Sequence, residues 1–119
     1  MGDCSLAKSP LIFKEQCTLG PSSGIGFSEG PIPLGGTIKS LYVGVDINPG
    51  GTGSATVTVS KNFLTTTLQC TIASSATKSS DTTHSFTVAP GDFISLDIAT
   101  SADTANTIHE LYVGIMLET

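Results

Sequence analysis

The feature that most constrains this chain is a period of two. In Leu41-Tyr42-Val43-Gly44-Val45-Asp46-Ile47 the odd positions are apolar, the signature of a strand with one face buried. Ala55, Val57 and Val59 repeat it, with Thr56, Thr58 and Ser60 on the opposite side. Leu64, Thr66, Leu68, Cys70 and Ile72 continue it on even positions. Lys61-Asn62 lies between these two runs as a tight turn, so the pair reads as a hairpin. Phe86 and Val88 make a short strand. Ile94, Leu96 and Ile98, then Leu111, Val113, Ile115 and Leu117, supply two more inward rows.

Turn residues separate the runs. Asn48-Pro49-Gly50-Gly51 and Ala89-Pro90-Gly91-Asp92 are breakers, and residues 73–83 and 99–107 are small and polar, so they read as loops. No window carries a 3.6-residue period. Five or six strands in about 80 residues, with one or two before them, predict an all-β fold. It is an antiparallel β-sandwich, a jelly roll or close relative, with an extended N-terminal arm. The absence of Trp and of a suitably spaced Cys pair argues against an immunoglobulin-like sandwich.

A chain of 119 residues suits one domain, and at that size roughly two-thirds of the unfolded surface can be buried. Charged residues are 13% of the chain, about half the usual ~25%. Ser and Thr fill the gap, and β-branched Thr suits the outer face of a sheet. The net charge is −5, Arg is absent, and the Lys residues are scattered. That excludes the basic patch of a nucleic-acid partner and of an anionic membrane surface. No segment approaches the ~20 apolar residues of a membrane span, so membrane insertion is not expected. Met1 to Leu6 lack the basic and apolar regions of a secretion signal. The expectation is a protein that leaves its cell without a leader or has already lost one.

The first residues differ from the rest. Residues 1–10 are irregular, Leu11-Ile12-Phe13 is a short apolar run, and Gly20-Pro21-Ser22-Ser23-Gly24 reads as a linker. The expected division is a connector arm over residues 1–20 and a sandwich domain over residues 21–119.

Little chemistry stands out. His84 and His109 fall opposite the inward register, and no His-x-His or Cys-x-x-Cys spacing supports zinc. Asp92 reads as a turn residue, Asp97 as solvent-facing and Asp103 as a loop residue, rather than as a calcium cluster. There is no Gly-x-Ser-x-Gly elbow and no phosphate-binding glycine loop. No catalytic, cofactor-binding or metal-binding residue is assigned, and a non-enzymatic role is expected.

The cysteines are odd in number: Cys4 and Cys17 in the arm, and Cys70 inward between Leu68 and Ile72. An odd count leaves one thiol free or paired between chains. Two readings stay open. Either all three are unpaired and Cys70 is a small buried hydrophobe, or the arm reaches a neighbouring subunit and is locked there by disulfides.

At Gly36-Thr37-Ile38-Lys39-Ser40-Leu41, the hairpin from Ala55 to Asn62, and Asp81 to Leu96, the chain resembles a diffuse group. Its members are the jelly-roll heads of collagen-like exosporium glycoproteins, endospore-appendage subunits and phage-fibre-like proteins. The resemblance covers roughly residues 30–118 and implies trimeric jelly rolls on spore or virion surfaces. The cysteine-bearing arm resembles the N-terminal connector of appendage subunits, which inserts into the next subunit. That implies an inter-subunit arm of Cys4, Leu11, Ile12, Phe13 and Cys17, with Cys70 as a possible disulfide partner. The implied role is a self-assembling subunit of an extracellular fibre whose partner is itself, as homotrimer and filament. The alternative is a virion decoration or receptor-binding head that uses loops 73–83 and 99–107. A carbohydrate-binding module that recognises surface glycans is a more distant reading.

Overall fold

The alternating runs become strands that bury their apolar rows between two sheets. A computed structural model describes the backbone of residues 11–19, 24–29 and 35–118, and the side chains of residues 35–118. Among these residues there are eight strands: β1 (Leu11–Leu19), β2 (Gly24–Glu29), β3 (Gly36–Val45), β4 (Ala55–Lys61), β5 (Leu64–Ile72), β6 (Lys78–Val88), β7 (Ile94–Thr100) and β8 (Ile108–Glu118). The first sheet has the order β1-β8-β3-β6 and the second β2-β7-β4-β5. All pairings are antiparallel. Consecutive strands switch sheets at every step except the β4–β5 hairpin, which is the double wrap of a jelly roll. The sandwich read from the sequence is the observed fold.

The core lies where the period of two placed it. Leu41, Val43 and Val45 of β3 and Leu111, Val113 and Ile115 of β8 are buried from one side. Val57, Val59, Leu96 and Ile98 are buried from the other. Full burial of each such side chain contributes about 1.5–3 kcal/mol, which offsets much of the entropy lost on ordering the strands.

Four expectations are corrected. Leu11–Leu19 is not separate from the first sheet: it pairs with the chain's own β8, with Leu11 opposite Ile115, Ile12 opposite Gly114 and Phe13 opposite Val113. Without β1, β8 would be an edge with unpaired backbone groups. Leu11, Phe13, Cys17 and Leu19 share odd positions, a row that Glu15 interrupts and the apolar triplet masks. Residues 78–83, expected in a loop, open β6, whose Lys78, Ser79 and Ser80 pair with Gly44, Val43 and Tyr42. Its polar composition fits an edge strand, where side chains meet water and discourage further pairing. Leu64, expected inward, is 73% exposed, because it closes the hairpin tip beyond a register shift between Thr58 and Ser60. Ile47, also expected inward, is exposed, because β3 ends at Val45.

The β3–β6 ladder contains an irregularity that matters below. Between the pairs Lys39–Ser85 and Leu41–Asp81, β3 has the single residue Ser40, whereas β6 has Thr82, Thr83 and His84. Ser40 takes a left-handed φ of 58° to bridge the mismatch.

Candidate functional site

The outer face of the first sheet carries a short repeat. Leu41-Tyr42-Val43-Gly44-Val45 on β3 and Leu111-Tyr112-Val113-Gly114-Ile115 on β8 share four residues of five. The strands run antiparallel with Val43 opposite Val113, so Tyr42 faces Gly114 and Gly44 faces Tyr112. The alternation that buries the Leu, Val and Ile positions turns both tyrosines and both glycines outward. The result is a local two-fold checkerboard of ring and gap. Tyr42 is 53% and Tyr112 38% exposed, and Met116 continues the apolar strip along β8.

Among the described residues, a Cβ on Gly114 would meet no atom within 4 Å, and one on Gly44 only ordinary contacts with Thr77 O and Tyr112 Cβ at 3.8 and 3.9 Å. Rings and gaps enclose an open cleft of about 520 Å³, closed on the β6 side by Thr77 and Lys78. Its size falls within the ~300–1,000 Å³ of ligand pockets. The Tyr112 hydroxyl donates to Glu110 Oε2 at 2.6 Å, and this hydrogen bond raises its pKa. The polar tip of that ring is thus held by its own strand, while the cleft walls stay apolar.

A second constellation fills the β6 irregularity. Asp81 is buried and accepts backbone N–H groups from Thr83 (3.0 Å), His84 (3.2 Å) and Gln69 (3.2 Å). Its Oδ2 also lies 2.8 Å from His84 Nδ1. A carboxylate can only accept, so Nδ1 carries the proton. Desolvation pulls the Asp81 carboxyl upward, but the Thr83 N–H, the His84 ring and the His84 and Gln69 N–H groups outweigh it and hold the pKa at about 2. The group is an ionised staple that ties β5 to the looped residues of β6. Asp46 works similarly. Its carboxyl, raised by desolvation, is pulled below the usual range by the N–H groups of Glu110 and His109 at the start of β8.

A third feature lies at the far end of the sandwich. The two-residue hairpin between β4 and β5 places both Asn62 and Phe63 at positive φ, 51° and 68°. Such a turn ordinarily takes Gly at its second position. Asn62 straps the tip to the β6–β7 turn: its N–H donates to Phe93 O, its Oδ1 accepts from Phe93 N–H, and its Nδ2 donates to Asp92 Oδ1. Phe63 stacks on Phe93 with centroids 5.6 Å apart, yet Phe63 remains 73% exposed.

Of the residues singled out in the sequence, Cys70 is buried in β5 with a free thiol. Burial pushes that thiol's pKa up, against a hydrogen bond from Ser79. Leu11, Ile12, Phe13 and Cys17 lie in β1 with their side chains outside the described residues, and Cys4 lies outside them altogether. His84 and His109 are on the exposed side, as read. Asp92 caps its turn by accepting from Ala89 N–H, and Asp97 accepts from Ser60 Oγ at 2.7 Å. Among the described residues no three of His, Cys, Asp and Glu converge. The sequence reading missed Tyr42, Gly44, Tyr112, Gly114, Asp81 and Phe63. The repeated Leu-Tyr-Val-Gly is the signal that marks the first four, and an aromatic residue directly after the turn Asn marks Phe63.

No family model matches the chain, and no curated protein matches it. One similar solved structure is described as CBM35 from Cellvibrio japonicus Abf62. It shares 15% identity over 84% of this chain and 73% of that chain, with a TM-score of 0.46. The jelly-roll assignment rests on the strand order of this chain itself.

Proposed function

We propose that this chain is a structural subunit that assembles with copies of itself through the aromatic cleft on its first sheet. The observation that carries this reading is the paired Leu-Tyr-Val-Gly repeat, which sets each exposed ring opposite a glycine on the neighbouring strand. Alternating rings and gaps form a surface that can interdigitate with protein but gains nothing from water. Tyrosine is enriched among residues that dominate interfaces, because it buries a large apolar ring at low entropic cost. Among the described residues, nothing in the cleft pairs a nucleophile with a base. The setting implied by the sequence resemblance is an extracellular fibre of a spore or virion surface, built from trimers or filaments.

Electron microscopy of the purified protein beside the double variant Tyr42→Ser/Tyr112→Ser tests this. Assemblies in the wild type and dispersed single domains in the variant are expected. Indistinguishable fields would remove the reading.

The same rings favour one second reading. Exposed tyrosines over a bare glycine floor can stack on the apolar faces of sugar rings, so a glycan ligand is the alternative occupant. Retention of the wild type, but not of the Tyr variant, on immobilised polysaccharide by a protein that stays monomeric would favour it.

A further inference from the structure

Among the described residues, β6 ends the order of the first sheet and β5 that of the second, and the two strands lie side by side. Both break their own ladders in the same way. Between the pairs Lys39–Ser85 and Leu41–Asp81, β6 sets Thr82, Thr83 and His84 against the single residue Ser40. Between Thr58–Gln69 and Ser60–Thr65, β5 sets Thr66, Thr67 and Leu68 against Val59 alone. On its other side β4 pairs with β7 without a break, from Ala55–Thr100 to Lys61–Ile94. In the second sheet the disturbance therefore belongs to the outer strand. An unbroken strand at either edge would offer a straight row of N–H and C=O groups on which another chain could add a strand.

The excursions use up their donors within the chain. Asp81, buried at the root of the β6 excursion, accepts the N–H groups of Thr83 and His84 at 3.0 and 3.2 Å. The same carboxylate accepts the N–H of Gln69 at 3.2 Å, at the root of the β5 excursion. Three backbone donors on two edge strands thus end on one buried group. Thr66 Oγ1 accepts from Leu68 N–H at 3.2 Å and donates to Val59 O at 2.7 Å, so a side chain stands in for a direct ladder bond. Bulges of this kind also bend and twist a strand away from a flat partner. Lys78, exposed at the start of β6, adds a charge of the kind that blunts an edge.

We infer that the paired excursions, tied together by Asp81, guard this side of the sandwich, so that no second chain adds a strand along β5 or β6. Edge addition draws its affinity from main-chain hydrogen bonds, which any extended segment can supply. A chain rich in alternating strands needs a barrier against it. The guard blocks that route and leaves the sheet faces available. The inference goes beyond the self-assembly reading and stands without it, because it concerns a contact that does not form.

Straightening the edge tests it. Deleting Ser40 together with Thr82, Thr83 and His84 leaves Leu41 alone between Lys39 and Tyr42, aligned with Asp81 on β6 and Ile115 on β8. Asp81→Val in the same chain avoids a buried carboxylate without its donors. This straightened chain is compared with its parent, both carrying Tyr42→Ser/Tyr112→Ser so that the aromatic cleft takes no part. The straightened chain should associate at a concentration at least tenfold lower than its parent and raise thioflavin T fluorescence. A straightened chain that folds yet stays as monomeric as its parent, or a parent that already associates with thioflavin T fluorescence, would overturn the inference. If circular dichroism shows that the straightened chain does not fold, amide exchange on the parent decides. The N–H groups of Gln69, Thr83 and His84 should exchange at least tenfold more slowly than in the unfolded chain. An excess of a synthetic peptide with the sequence of residues 36–45, the strand that pairs with β6, should leave those rates unchanged. Exchange at the unfolded rate, or further slowing by the peptide, would overturn the inference.

Discussion

Tyr42 lies directly across the β3–β8 ladder from Gly114. One strand therefore presents a ring where its neighbour presents nothing, and Gly44 with Tyr112 repeats the relation in reverse. A glycine inside a strand costs about 0.5–1 kcal/mol relative to alanine, so two of them weaken this stretch of the ladder locally.

Gly114→Thr should therefore stabilise the fold. A Cβ there meets no atom of the described residues within 4 Å, and a β-branched residue suits a strand. The expected gain is about 0.5–1 kcal/mol, read by urea denaturation at concentrations low enough that neither protein associates. A loss of that size would mean the gap is not empty.

Asp81 sets an acid limit. Its carboxyl has a pKa of about 2 in the folded chain against an ordinary 3.8. The folded value is the lower one, so its contribution is complete above about pH 4 and is lost as pH falls toward 2. Asp81→Asn should cost about 1–3 kcal/mol at pH 7 by weakening the hydrogen bonds that β5 and β6 make to it. The variant should also lose less stability than the wild type between pH 4 and 2. Parallel acid-titration slopes for the two proteins would contradict the staple.

Cys70 should be chemically silent in the native state. It is 7% exposed, and burial raises its thiol pKa, so little reactive thiolate is available. Alkylation followed site by site with mass spectrometry should label Cys70 only in denaturant. Labelling at the unfolded rate under native conditions would show that β5 does not hold it inside.

Leu64 and Leu96 look alike in the sequence but differ in place. Leu96 is fully buried, whereas Leu64 is 73% exposed at the hairpin tip. Leu96→Ala should cost about 2–5 kcal/mol, and Leu64→Ala within about 0.5 kcal/mol. Comparable losses by thermal denaturation would mean the tip is folded inward.

That contrast shows what the sequence could and could not reveal. Rows such as Val57 and Val59, or Ile94, Leu96 and Ile98, announce themselves, because a half-buried strand has a strict period of two. The ends of strands do not. Ile47 and Leu64 keep the alternation beyond the point where the opposite sheet covers them. β1 was hidden behind an apolar triplet, and the start of β6 behind Ser and Thr, which serve an edge strand as readily as a loop. The cleft was half legible. The repeat was present in the sequence, but pairing Tyr42 with Gly114 needs a register between residues 72 positions apart. Asp81 was not legible at all, since its three backbone donors exist only once β5 and β6 are folded together.

The most direct test of the cleft is sedimentation velocity on wild type and Gly114→Lys over a wide concentration range. The new side chain meets no atom of the described residues at its Cβ and should leave the sandwich folded while placing a charge in the cleft. The account predicts a wild-type sedimentation coefficient that climbs with concentration and a variant that stays at the monomer value. A wild type that remains monomeric throughout, or a variant that climbs with it, would contradict the account.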